Sequence, residues 1–322
     1  MNGVAFFITF ALNMRKNSLA SYFLLIIAVI VITSCSKFSR LQKTGTDQEK
    51  YDAAMTYYKK GDFYRSGLLF EELIPLLKGS TESELAQFYY AYTQYQQGQY
   101  NTSQFLFKKF YDTYARSDYA QEALYMHAFS LYKDSAPYNL DQKSTFTAIS
   151  SLQDFINAYP DSPFREECTK YILELRSKLE KKAYEKAKLY HKISDFNMMS
   201  LKSAVISIDN FKKDFPDSQY NEELSFLKVE SQYNLATNSF YTKQKERYQD
   251  VIKFYKELID KYPSGKYVRD AEKMFENSQE QVEILAKAEI ERQKLEAKPD
   301  SGSDNKPTKV TAPPTAEAKP QK

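Results

Sequence analysis

The sequence predicts an all-α fold: a tetratricopeptide-like helical hairpin superhelix of about five repeats, closed by a C-terminal helix. Three observations predict it. Glycine and proline are scarce, 8 and 11 in 322 residues, and so few breakers leave long helices uninterrupted. Five segments carry apolar or small residues at offsets 0, +4, +7 and +11, a single stripe of a 3.6-residue helix. Four of these stripes run into a shared turn with an aromatic residue at a fixed place beyond it.

Residues 1–34 read as a leader. From Met14 the chain runs Arg15-Lys16, an apolar Leu19–Ile32, then Thr33-Ser34-Cys35. A positive start, a short apolar core and small residues before a cut are the parts of a secretory signal. The core is too short for a comfortable membrane span. Cys35 after Ile32-Thr33-Ser34 resembles a bacterial lipobox, in which the cysteine sulfur is acylated and the chain is cut before it. Acyl chains contribute roughly 0.8 kcal/mol per buried methylene, so several chains on Cys35 would anchor the protein firmly. The alternative is an uncleaved helix anchor with Cys35 incidental; a scarce cysteine at the expected distance favours the lipobox. Met1–Asn13 is uncharged and duplicates a start, so Met14 is the expected first residue. Residues 35–46 read as a lipidated polar tether. Residue 36 is serine and not aspartate, which in lipoproteins of two-membrane bacteria usually implies passage to the outer membrane.

The repeat domain is expected over 47–295. Its stripes are Ser66/Phe70/Leu73/Leu77, Ser103/Phe107/Phe110/Tyr114, Ala148/Leu152/Phe155/Tyr159, Ala204/Ile208/Phe211/Phe215 and Val251/Tyr255/Leu258/Tyr262. The first member is small or short, so a neighbouring helix can approach, and the bulky members fill the contact. Tyr159-Pro160-Asp161-Ser162, Phe215-Pro216-Asp217-Ser218 and Tyr262-Pro263-Ser264-Gly265 follow the last three stripes, and Tyr114-Ala115-Arg116-Ser117-Asp118 the second. Proline stops a helix and Asp or Ser caps the next. Tyr119, Phe164, Tyr220 and Tyr267 recur beyond these turns. Tyr51/Ala54/Met55/Tyr58 and Leu85/Phe88/Tyr89/Tyr92 mark partner helices, with Gly61 and Gly98 turning the first two hairpins.

A small residue, a large one four positions on and proline twelve after the small one is the second-helix half of the tetratricopeptide pattern. Its tryptophan is absent, and successive stripes start 37, 45, 56 and 47 residues apart, against about 34 in the consensus. The extra length falls in a loop at Asp134–Lys143, a long charged helix from Arg165 to Lys192, and a turn at Ile193–Ser200. Val268 to about Lys294 reads as the closing helix. Residues 296–322 have almost no bulky apolar side chain and are expected to be disordered.

Net charge is only +3 with both signs interleaved, which speaks against nucleic-acid binding. Two cysteines and two distant histidines, His127 and His191, assemble no zinc cluster, and Cys168 reads as a small buried hydrophobe. No phosphate loop, nucleophile elbow or His-Glu-x-x-His is present, so neither a catalytic residue nor a cofactor is expected. Carboxylate pairs such as Glu71-Glu72 and Glu222-Glu223 read as solvated; Arg176, Lys228 and Arg269 on the C-terminal repeats are a further candidate, for docking a partner through its carboxylates, with solvated helix faces the commoner reading.

The candidate binding surface is aromatic: Tyr57, Tyr58, Phe63, Tyr64, Phe88, Tyr89, Tyr92 and Tyr95. Helix neighbours point about 100° apart, so adjacent rings such as Tyr57-Tyr58 cannot share one core. Some must line a surface suited to an extended segment with alternating apolar residues. Hairpin packing alone remains the other reading, above all for any single ring.

The lipobox, the five hairpins, Tyr159-Pro160-Asp161-Ser162-Pro163-Phe164, Leu175-Arg176, Lys178-Leu179, Lys182, Tyr184-Glu185-Lys186-Ala187 and Phe215-Pro216-Asp217-Ser218 together resemble the outer membrane assembly lipoprotein BamD family, over roughly residues 35–285. The resemblance implies a lipid-anchored scaffold on the periplasmic side of the outer membrane. Its implied partners are the β-barrel assembly core subunit, other lipoproteins of that complex and unfolded outer membrane proteins. In that family the C-terminal repeats dock on the core subunit, and the N-terminal repeats form a groove proposed to receive client segments. The long polar tail and lysine-rich final helix depart from the pattern and put the accessory partners in doubt. Two other readings stay open: an adaptor lipoprotein of division or cell-wall synthesis, and, less favoured without tryptophan-bearing insertions, a glycan-binding lipoprotein.

Overall fold

Each hairpin closes around the small residue that opens its stripe. The computed structural model describes residues 37–195 and 197–296; the leader, Cys35 and the tail from residue 297 lie outside them. Hairpin one pairs α1 (Asp47–Lys59) with α2 (Phe63–Leu73), and hairpin two pairs α3 (Glu82–Gln96) with α4 (Tyr100–Thr113). Hairpin three is α5 (Ala120–Asp134) with α6 (Lys143–Ala158). The long α7 (Arg165–Lys192) and a 3-10 turn at Ile193–Asp195 lead to α8 (Met199–Asp214). Then come α9 (Asn221–Thr237), α10 (Tyr241–Lys261) and the closing α11 (Val268–Glu296). Among the described residues there is no strand, so the expected tetratricopeptide-like helical class holds. The chain divides into two compact units, one ending at Lys182 and the other beginning at Ala183.

The stripes lie where the phasing puts them. Phe70, Phe107, Phe110, Leu152, Phe155, Ile208, Phe211 and Leu258 are fully buried, with Tyr255 close behind. Burying such side chains contributes roughly 1.5–3 kcal/mol each. Ser66 and Ser103 do more than leave room. Their hydroxyls donate to the carbonyls of Ala54 (2.9 Å) and Ala91 (3.2 Å), twelve residues back on the partner helix. A buried hydroxyl without such an acceptor would cost about 1–3 kcal/mol. Ala148, Ala204 and Val251 take the same place in the later hairpins as buried apolar residues.

Gly61 and Gly98 close hairpins one and two with φ of 77° and 74°. The residue after each glycine donates its N–H to a carbonyl five back, Asp62 to Tyr57 and Gln99 to Gln94, both at 2.9 Å. A left-handed residue at this place satisfies the orphan carbonyls of a helix end.

The turns between hairpins differ from expectation in one respect. Serine there does not cap the next helix: the N-cap positions of α5 and α9 are Tyr119 and Tyr220, without a side-chain cap. Instead Ser117, Ser162 and Ser218 accept the backbone N–H two residues on, from Tyr119, Phe164 and Tyr220 (3.0–3.2 Å). A hydroxyl bonded two residues ahead makes a tight turn, and here it sets the direction of the following ring.

The stretch expected as a polar tether is helical over 37–44. Phe38 is buried, its ring edge-on to Tyr57 at 5.7 Å with the Arg65 guanidinium 5.7 Å above it. Leu41 packs into the same cluster with Ala54, Leu69, Phe70 and Ala86. Phe38 and Leu41, nearly one turn apart in a mostly polar stretch, dock it.

Candidate functional site

A repeated clamp aims the first helices of successive hairpins. The ring from each inter-hairpin turn packs on a ring of the preceding first helix: Tyr119 on Phe88 at 4.8 Å, and Phe164 on Tyr125 at 4.2 Å. In the second unit, Tyr220 lies on Tyr184 at 4.0 Å and Tyr267 on Phe226 at 4.9 Å. Three residues after the first three of these rings stands a glutamate that accepts a tyrosine hydroxyl from the same preceding helix. The pairs are Tyr92 to Glu122, Tyr125 to Glu167 (2.9 Å) and Tyr184 to Glu223 (2.7 Å). Ring packing and a charge-assisted hydrogen bond thus fix one helix against the next.

The expected aromatic residues do not form one continuous set. Tyr58, Phe63 and Tyr89 form one run, Tyr58 lying 5.6 Å from Phe63 and 4.9 Å from Tyr89. Tyr89 continues to Phe88, and Phe88 to Tyr92 at 5.1 Å. Tyr95 faces Tyr100 at 5.4 Å and Phe129 at 5.8 Å. Tyr57 lies apart, against Phe38 and Arg65, and Tyr64 is 66% exposed. Phe88 leaves the groove set: at 3% exposure it is core, wedged between Phe107, Phe110 and Tyr119. Its place in the 3.6-residue stripe of α3, not its neighbours in sequence, decides that.

The structure adds rings that the sequence reading did not single out. Beyond Tyr95, Phe129 stacks with Tyr132 at 5.8 Å and with Tyr171 of α7 at 5.1 Å, and Tyr132 stacks on Tyr171 at 4.2 Å. All three are half-buried. Lys133 sits over the Phe129 and Tyr132 rings, and Glu174 and Glu167 accept the Tyr132 and Tyr171 hydroxyls. The signal was present as Tyr125, Phe129 and Tyr132 at i, i+4 and i+7, with Tyr171 in a helix whose charge drew attention first.

These phenols stay protonated. Burial, with a lesser charge effect from Tyr89, pushes Tyr58 up to about 12. The hydrogen bond to Glu174, then burial, pushes Tyr132 up to about 12. Burial, then the bond to Glu122, raises Tyr92 further. The surface therefore offers neutral ring faces with hydroxyl tips tied to carboxylates. Such rings can pack against apolar side chains.

Other expected positions resolve as follows. Cys168 is buried and free, and burial pushes its thiol up to about 12. His127 Nδ1 lies 2.8 Å from the Gln104 carbonyl, and burial lowers its pKa. Among the described residues no group of His, Cys, Asp and Glu could hold a metal ion. Arg176 and Arg269 are exposed as expected, but Lys228 is not. It is 5% exposed, with Nζ 2.7 Å from Asp209, 3.4 Å from Glu257 and 3.7 Å above the Phe254 ring. A long apolar stem lets a lysine lie buried where carboxylates meet its head. The glutamate pairs are also less solvated than expected: Glu72 pairs with Lys50, Glu222 accepts the Lys266 N–H, and Glu223 pairs with Lys188.

Among known proteins, the model of the YfiO family, described as an outer membrane lipoprotein, matches residues 43–199 and 193–300. No curated protein matches. Among solved structures, the TPR2AB domain of yeast Sti1 in its pHSP90 complex is 12% identical, with TM-score 0.35, over 72% of this chain and 98% of that one. A computationally designed self-assembling cyclic homo-oligomer is 13% identical, with TM-score 0.18, over 85% and 99%. Both superpose too loosely to bear on the fold.

Proposed function

The chain belongs to the YfiO family of outer membrane lipoproteins, and we propose that it is a non-catalytic scaffold of the machinery that inserts β-barrel proteins into that membrane. Lipid on Cys35 holds it on the periplasmic side. The ring-lined surface of the first three hairpins and α7 receives extended segments of unfolded outer membrane proteins. The C-terminal hairpins engage the barrel core subunit and companion lipoproteins.

The observation that carries this reading is the run of half-buried rings from Tyr95 through Phe129 and Tyr132 to Tyr171. Aromatic faces held at fixed spacing suit a segment whose apolar side chains alternate with polar ones. A buried ring at a binding hot spot is worth at least about 2 kcal/mol when truncated. Tyr132→Ala with Tyr171→Ala is therefore expected to weaken binding of a C-terminal barrel-strand peptide more than tenfold, read by fluorescence anisotropy. Unchanged affinity would remove the client role from this surface. Purification from detergent-solubilised envelopes should bring down a large β-barrel protein; recovery with inner-membrane partners alone would favour the adaptor reading.

A further inference from the structure

We propose that residues 37–44 are a docked cationic shoe that lays the first hairpin against anionic phospholipid headgroups, with Phe38 as its pin. The inference rests on the reading that Cys35 carries lipid, and it adds what the anchor does to the fold.

Covalent geometry comes first. Two residues of fully extended chain span at most about 7 Å, so Lys37 must lie within that reach of an acylated Cys35. Residue 37 is already helical, and the segment does not swing free. Phe38 is buried between Tyr57 of α1 and Arg65 of α2, and Leu41, one turn on, packs into the cluster containing Leu69 and Phe70. A lipid at Cys35 is thus coupled to hairpin one through packed side chains and not through a slack tether. The hairpin must sit at headgroup depth.

The outward face of the segment fits that place. Lys37, Arg40 and Lys43 are all exposed, and no acidic residue occurs between Ser36 and Thr46. Lys59 and Lys60 are exposed at the end of α1, two and three residues beyond the Tyr57 on which Phe38 packs. Because this acid-free run adjoins the lipid-bearing Cys35, charge complementarity here favours an anionic bilayer. Each Lys or Arg near such a surface contributes about 1 kcal/mol, roughly fivefold in partitioning, so three together amount to about a hundredfold. The chemistry that recognises the segment is phosphate on a lipid headgroup, at the spot where the acyl chains enter.

The test uses the full lipidated chain in vesicles, with a fluorophore on Lys60→Cys and nitroxide on the lipid headgroups. Cys168 is buried with its thiol pushed up to about 12, which leaves the introduced thiol as the reactive one. With phosphatidylglycerol present, strong quenching is expected. Phe38→Ala should abolish most of it while flotation with the vesicles persists. The triple variant Lys37→Gln, Arg40→Gln, Lys43→Gln, which leaves the buried face intact, should also reduce it, as should high salt. Quenching that survives both variants, or is equally strong on phosphatidylcholine alone, would overturn the proposal. Failure of the unaltered chain to float, matched by Cys35→Ser, would instead overturn the lipid anchor on which it rests.

Discussion

Phe105 and Phe107 stand two residues apart on α4, and the phasing of the hairpin stripe makes them opposites. Phe107 is fully buried, edge-on to Tyr92 at 5.0 Å and to Phe88 at 6.0 Å. Phe105 is 61% exposed. Phe107→Ala removes a full ring and leaves a cavity, at a cost of about 3–5 kcal/mol. Of this, each lost edge-to-face contact accounts for about 0.5–1.5 kcal/mol. At about 2–4 °C per kcal/mol for a domain of this size, the melting temperature of the N-terminal unit should fall by roughly 6–20 °C. Phe105→Ala should stay within about 0.5 kcal/mol. Circular dichroism melts, backed by urea titrations, read both. Equal losses for the two variants would refute the phasing, and with it the placement of every stripe; a loss below 1 kcal/mol for Phe107→Ala would do the same.

Three other outcomes follow from side chains in the second unit and the cysteine. Lys228→Ala should cost about 2–3 kcal/mol: breaking a buried pair costs more, but Asp209 and Glu257 are half exposed and can rehydrate. Lys228→Met, which keeps the stem over Phe254, should cost about 1 kcal/mol, and equal losses in urea melts would mean that charge alone matters. Burial pushes the Glu223 carboxyl up, but hydrogen bonds from Lys188 and Tyr184 outweigh it and hold the group below its ordinary 4.5. The bonds to Tyr184 and Glu223 raise Lys188 above 10.5. A lowered acid stabilises above its unfolded value and a raised base below its own, so the pair contributes fully between about pH 4.5 and 10.5. Glu223→Gln should therefore flatten the acid side of a stability–pH curve by about 0.5–1 kcal/mol, and an unaltered acid limb would exclude the pair's role. Peptide mapping after alkylation at pH 8 should find Cys168 unmodified in the native chain and modified in denaturant; rapid native labelling would contradict its burial.

Much of the fold was legible because helix periodicity is a property of consecutive residues. Ser66, Ser103, Ala148 and Ala204 announced the close approaches, and proline announced the stops. What escaped was pairing across long separations. Glu122, Glu167 and Glu223 look like ordinary acids at helix starts, and only the fold reveals that each meets a tyrosine of the preceding helix. Lys228 read as solvated because burial of a lysine depends on which carboxylates converge on it, and Asp209 and Glu257 come from two other helices. Phe38 was passed over because its polar neighbours suggested a tether. At the ring surface the reverse happened: Phe88 was counted among the lining rings although it belongs to the Leu85/Phe88/Tyr89/Tyr92 stripe, whereas Phe129, Tyr132 and Tyr171 join only once α7 folds along α5.

The claim that an unfolded client lies along these rings meets its most direct test in living cells. A photo-crosslinking amino acid in place of Tyr95, Tyr132 or Phe105 would report what each position touches during barrel assembly. Adducts to C-terminal segments of outer membrane proteins from Tyr95 and Tyr132, with none from Phe105, exposed on α4 and outside the ring run, are the expected result. Client adducts from Phe105 alone, or from no position, would contradict it.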